Sequence, residues 1–178
     1  MRKFALACAA AAAMLLGAVA PAAAQLHVDV TQGNVKPLPI AIPDFVGAQP
    51  SDAAVAANIA SVVRADLDRS GLFKPLDPKS FIDQIKSIDA PPQFQDWRVI
   101  NAQALVTGRA AVQADGRLRV DFRLWDVYGE TQMLGLQYYT SPEVWRRVAH
   151  IISDAIYQRI TGEKRGEKVM FGKLPSIC

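Results

Sequence analysis

The sequence predicts an α/β domain, a mixed β-sheet with an antiparallel meander packed by two main helices. Three observations carry this. Two long stretches, Ser51–Ser70 and Ser141–Gly162, repeat apolar residues at helical spacing. Ala104–Val112 and Leu118–Leu124 alternate across a turn at Ala114-Asp115-Gly116. Short apolar runs bounded by Gly and Pro interleave with the helices, in the order strand, strand, helix, strand, short helix, three strands, helix.

The first residues set the compartment. Met1-Arg2-Lys3 is basic, Phe4–Ala20 is apolar, Pro21 interrupts, and Ala22-Ala23-Ala24 offers the small residues that signal peptidase reads. Residues 1–24 are read as a signal peptide cut after Ala24, and export to the periplasm follows. The apolar run sits at the short limit for a span of about 20 residues, so no membrane anchor is expected after cleavage. Leu6-Ala7-Cys8 lies too close to Lys3 to be a lipid-attachment site. With Cys8 gone only Cys178 remains, and no internal disulfide can form. Loss of Arg2 and Lys3 takes the 20 basic residues to 18 against 17 acidic ones, a formal charge of +1. That balance lacks the basic footprint of a nucleic-acid binder.

The expected mature chain opens on Leu26-His27-Val28-Asp29-Val30. Leu26, Val28 and Val30 point one way and His27, Asp29 and Thr31 the other, a half-buried strand in need of a neighbour. Thr31–Lys36 is turn chemistry. Leu38–Ile42 is a short strand whose prolines favour an edge or a strand start. In the Ser51–Ser70 helix, Ser51 is the expected cap, and Val55, Ile59, Val62, Val63 and Leu67 the buried face. Asn58, Ser61, Arg64 and Asp68 lie opposite, and Gly71 stops it. Leu72–Leu76 reads as a strand. Asp77 caps a brief helix through Phe81, Ile82 and Ile85, with Pro78 at its first position. Ser87–Gln95 is a loop, and Phe94–Asn101 a turn or two of helix with Trp97 inward.

Parity decides the hairpin. A two-residue Asp115-Gly116 turn sets Arg109 opposite Phe122 and mixes charge into the apolar face. A three-residue loop with Gly116 left-handed sets Val112 against Leu118 and Ala110 against Val120, and is expected. A turn at Tyr128-Gly129-Glu130 leads to the strand Gln132–Thr140. Ser141 then caps the last helix, with Pro142 first, and Val144, Trp145, Val148, Ile151, Ile152, Ala155, Ile156 and Ile160 face inward as far as Gly162.

Chemistry is sparse. His27 and His150 are the only imidazoles and neither has a second ligand at metal spacing, so no metal or cofactor is expected. No nucleophile elbow, zincin motif or phosphate loop occurs. Asp66 and Asp68 read as a solvated helix face, Cys178 as an incidental thiol, and Trp97, Trp125 and Trp145 as core. Arg117, Arg119 and Arg123 alternate along one strand around Asp121. That row reads as a solvated sheet face with cross-strand ion pairs, or as a face for an anionic partner. Without interleaved aromatics it does not suit nucleic acid. No catalytic residue is assigned, and an adaptor is expected rather than an enzyme. A hydrolase built on surface carboxylates stays as the remote alternative, requiring two converging carboxyl groups, one with a raised pKa.

Several stretches together resemble the TolB N-terminal domain family: Pro39-Ile40-Ala41-Ile42-Pro43-Asp44-Phe45, Arg64-Ala65-Asp66-Leu67-Asp68-Arg69-Ser70-Gly71-Leu72-Phe73, Val106-Thr107-Gly108, Leu124-Trp125-Asp126-Val127 and Ile160-Thr161-Gly162-Glu163-Lys164. The resemblance spans Leu26 to about Lys164, giving a domain at 25–164. It implies a fold like an anticodon-binding domain and a periplasmic role in the Tol-Pal system, in outer-membrane integrity, cell division and bacteriocin import. It also implies that the mature N-terminus, here Gln25, Leu26, His27, Val28, Asp29, Val30 and Thr31, contacts the C-terminal domain of TolA. LHVDV then serves as a detachable recognition strand. The family continues into a β-propeller that binds Pal. Residues 165–178 do not resemble the entry to it and no propeller repeats occur. They read as an atypical disordered tail, as in a truncated or frame-shifted product, and Pal binding is not carried over. A regulator of cell-wall synthesis with a related fold, acting through a surface patch, is the other reading of the resemblance.

Overall fold

A computed structural model describes residues 36–162. The opening strand at Leu26–Val30, the leader and the tail after Gly162 lie outside the described residues.

The described chain forms β1 (Leu38–Ala41), β2 (Val46–Gly47), α1 (Ala53–Arg69), β3 (Phe73–Pro75), α2 (Phe94–Val99), β4 (Ala104–Val112), β5 (Leu118–Asp126), β6 (Thr131–Thr140) and α3 (Trp145–Thr161), with single 3-10 turns at Pro50–Asp52, Pro78–Ser80 and Pro142–Val144. They build one mixed sheet in the order β3-β1-β4-β5-β6, with β2 joined further along β4. β1 runs parallel to β3 and β4, and β4, β5 and β6 form the antiparallel meander. The fold class is the one the alternation and helical periods predict.

The sheet has two unlike faces. On one, here the helical face, α1 and α3 pack together over Ile40, Val106, Ala110, Leu118, Val120, Phe122 and Leu124, burying Ile59, Val63, Leu67, Ile152 and Ile156 completely. Each such side chain contributes about 1.5–3 kcal/mol on leaving water. Phe45 enters this core by lying on Gly108, where a Cβ would stand 2.4 Å from its ring. The opposite face is half covered. Residues 76–102 fold over its lower end, where Trp97, Leu105, Trp125 and Val127 make a second cluster, and Trp125 Nε1–H donates to Thr107 Oγ1 at 3.1 Å.

The β4–β5 hairpin adopts the expected loop. Val112 pairs with Leu118 and Ala110 with Val120. Gln113 N–H donates to Arg117 O at 2.8 Å, and Gly116, at φ +80°, donates to Gln113 O at 2.9 Å. Only this parity keeps the arginines off the helical face.

Several local expectations are corrected. Pro39 is near a strand start but not on an edge, for β1 is an inner strand. Pairing with β4 begins one residue later, at Ile40 and Ala104, so the missing proline N–H falls before that ladder. Ser51 does not cap α1. It sits inside the 3-10 turn, and the buried carboxylate of Asp52 instead accepts Gln49 N–H at 3.3 Å. The helix after Asp77 stops at Ser80. Asp77 does cap it, accepting Lys79 N–H at 2.9 Å, but Phe81 is already extended at ψ 124° and Ile82 is exposed. On α3, Val144 and Ile151 are exposed, and Ala149 and Ser153 are buried in their place. Asp66 is not on a solvated face. It is 3% exposed and its carboxylate meets Arg69 at 3.0 Å and His150 Nδ1 at 2.5 Å. β2 was not anticipated at all.

Candidate functional site

The expected partner-binding residues, Gln25 through Thr31, lie outside the described residues. Within residues 36–162, the surface able to receive or present a strand is β6, which closes the sheet order with β5 on one side. A bulge opposite Leu124 and Trp125 admits Met133 as an extra residue, because Leu124 pairs with Leu134 while Trp125 pairs with Gln132. Arg159 of α3 reaches over and donates from Nε to the Met133 carbonyl at 3.0 Å. The start of the edge is thus satisfied by a side chain, and the open stretch runs from Leu134 to Thr140.

The two faces of β6 differ in chemistry. On the helical face Leu134, Leu136 and Tyr138 continue the rows set by Leu124, Phe122 and Val120. Between β6 and the end of α3 they leave a groove of about 420 Å³ lined by Leu134, Leu136, Ala155, Gln158, Arg159 and Gly162. Burial alone raises the Tyr138 phenol above its ordinary pKa.

On the opposite face Gln132, Gly135 and Gln137 border a polar basin of about 410 Å³ floored by Arg109, Arg119, Asp121 and Arg123. Asp121 is the pivot. One oxygen accepts Arg119 Nε–H at 3.0 Å and the other faces Arg109 NH2 at 3.2 Å, while Arg109 NH1 also reaches Asp89 at 3.2 Å. The hydrogen bond to Asp121 raises the Arg119 pKa further above its already high value. Arg117 turns away to Asp115 at 2.7 Å and lies over the Tyr139 ring. Cross-strand ion pairing is therefore present, each pair contributing about 0–1 kcal/mol at this partial exposure. Arg123 differs, having no hydrogen bond or carboxylate partner among the described residues. Its cross-strand partner is Gly135, so open space adjoins its guanidinium.

No three His, Cys, Asp or Glu residues gather at metal-binding distance among the described residues. Asp115 and Glu143 have lowered pKa values, the first through Arg117 N–H and guanidinium bonds, the second through its own backbone N–H and the Ser141 hydroxyl. No described helix is long and apolar enough to cross a membrane. The arrangement offers backbone donors and acceptors, an apolar groove and one spare guanidinium. The period-two pattern of Leu134, Leu136 and Tyr138 was the available signal for the groove, and it was read only as a strand.

Comparison with known proteins agrees with this geometry. Residues 26–133 match the model of the TolB amino-terminal domain. The chain is 56% identical over 148 residues to the Tol-Pal system protein TolB of Paramagnetospirillum magneticum, covering 83% of this chain and 33% of that protein. The chain thus spans about a third of the length of that curated relative. A crystal structure of TolB from Acinetobacter baumannii superposes with a TM-score of 0.55 at 27% identity, over 79% of this chain and 32% of the other. The LpoB C-terminal domain from Salmonella enterica reaches a TM-score of 0.45 at 11% identity, over 59% and 82% of the two chains, too weak a likeness to bear on function.

Proposed function

The chain belongs to the TolB amino-terminal domain family, and from that premise we propose that it is a periplasmic, non-catalytic adaptor of the Tol-Pal system that binds the C-terminal domain of TolA through Gln25–Thr31. The observation that carries this is the extent of the family match, which begins at Leu26 and so takes in the alternating strand as part of the domain. Strand addition supplies the mechanism. The backbone of Leu26–Val30 extends the edge of the partner's sheet, while Leu26, Val28 and Val30 fill apolar pockets on one side. Roles in outer-membrane integrity, cell division and bacteriocin import belong to the same reading, as does removal of residues 1–24. Pal binding does not, since the family resemblance does not extend to a propeller.

Deletion of Gln25–Thr31, followed by calorimetric titration with the TolA C-terminal domain, tests the proposal. Loss of binding with unchanged circular dichroism is expected, and undiminished affinity overturns it. Mass spectrometry of the exported chain is expected to find Gln25 at the N-terminus.

A further inference from the structure

The free part of β6 prescribes the strand that would suit it. Opposite Leu134, Leu136 and Tyr138 it asks for apolar residues over the groove. Opposite Gly135 it asks for a carboxylate, because Arg123 lies one strand further on with only a glycine between. The chain itself contains that pattern in Leu26-His27-Val28-Asp29-Val30.

We propose that Leu26–Val30 docks on the β6 edge of its own domain as a seventh, antiparallel strand, with Val30 opposite Leu134, Asp29 opposite Gly135, Val28 opposite Leu136 and Leu26 opposite Tyr138. In this register three apolar side chains cover the groove and Asp29 meets Arg123 across the glycine. The separation is two strand spacings, about 10 Å between Cα atoms, which an extended arginine and an aspartate bridge when no side chain stands between them. A shift of one residue sends the apolar row to the polar basin and Asp29 to the groove.

Direction and reach agree. β1, β4 and β6 run the same way, because β4 is parallel to β1 and two antiparallel pairings separate it from β6. A segment that must return to the start of β1 arrives at the start of β6, and so runs antiparallel to it. The lateral distance from β1 to a strand beyond β6 is four spacings, about 19 Å. The linker Thr31–Pro37, fully extended, reaches about 23 Å. Arg159 at Met133 marks where the new strand gives way to that linker.

This inference goes beyond the adaptor reading. It gives the TolA-binding segment a resting position, so that partner binding is an exchange of one sheet edge for another. Disulfide trapping tests it in the chain exported with its leader, with Cys8 and Cys178 replaced by serine. Val28→Cys with Leu136→Cys is expected to close an intramolecular bond about fivefold more readily than Val28→Cys with Gln137→Cys, since neighbouring positions face opposite sides. Equal trapping, or trapping only between two copies, overturns it. In the first pair, Arg123→Glu and Asp29→Arg are each expected to reduce trapping and the double swap to restore it. Failure of the swap to restore overturns the assigned register. Loss of TolA binding on deleting Gln25–Thr31 without any trapping would remove this inference and leave the adaptor reading intact, and trapping with unchanged TolA affinity would do the reverse.

Discussion

Two glycines on neighbouring strands show how a single residue's importance depends on what it faces. At Gly108 an added methyl meets the ring of Phe45, which is itself 4% exposed and has nowhere to retreat. At Gly135 it meets the amide end of Gln132 at 2.6 Å, a flexible group that can swing away. Gly108→Ala is therefore expected to destabilise the fold by about 1–3 kcal/mol, the range for an overfilled core, and Gly135→Ala by much less, both read from urea unfolding midpoints. Tyr138 yields a pH dependence. Its folded-state pKa is raised by burial alone, so the neutral phenol is the form the fold prefers. That stabilisation is complete below the unfolded value of about 10 and is lost as pH rises through the higher folded value. Tyr138→Phe is expected to flatten the alkaline fall in stability, measured as unfolding midpoint against pH. Of these features the sequence displayed the Val106-Thr107-Gly108 strand and the alternation through Tyr138. It could not display Phe45 lying on Gly108, a contact across 63 positions that only the fold brings about.

Elements were legible where one pattern left no alternative. The hairpin loop followed from parity, since only Val112 opposite Leu118 keeps Arg119, Asp121 and Arg123 on the polar side. On α3 the period was visible but its phase was set too broadly. Val144 belongs to the preceding 3-10 turn and Ile151 sits on the flank at 38% exposure, beside a fully buried Ile152. Ile152→Ala is expected to cost about 2–5 kcal/mol, and Ile151→Ala to stay within about 0.5 kcal/mol, by denaturant titration. β2 had no such pattern. Two residues form it, and the clue lies in space, where a Cβ on Gly47 would stand 2.7 Å from the Ala53 backbone. The segment after Pro78 misled for a different reason. Its apolar residues serve the cluster beneath them as individuals, Phe81 against the Trp97 ring and Ile82 toward solvent, and so mimic a helical face without being one.

In the whole molecule the coverage of the sheet is unequal. β4 and β5 have neighbours on both sides, whereas residues 81–93 lie on the polar face without regular structure. Hydrogen exchange is expected to protect amides of β4 and β5 far more than those of 82–92, opening that flap by local rather than global unfolding. Fold class was readable because periods and turns accumulate along a chain. The candidate site was readable only in half: the alternating strand stood out, but which edge is open depends on sheet order, and which arginine is spare depends on Asp89 arriving from a distant loop to engage Arg109. The bulge and Arg159 also bear on a hazard intrinsic to any bare sheet margin, namely fibrous self-templating between identical copies. They block only the first residues of β6. From Leu134 onward the margin is seven residues long, carries apolar side chains on alternate positions and lacks a lysine or proline guard. Solubility of this protein in a crowded compartment accordingly hinges on keeping those seven residues occupied.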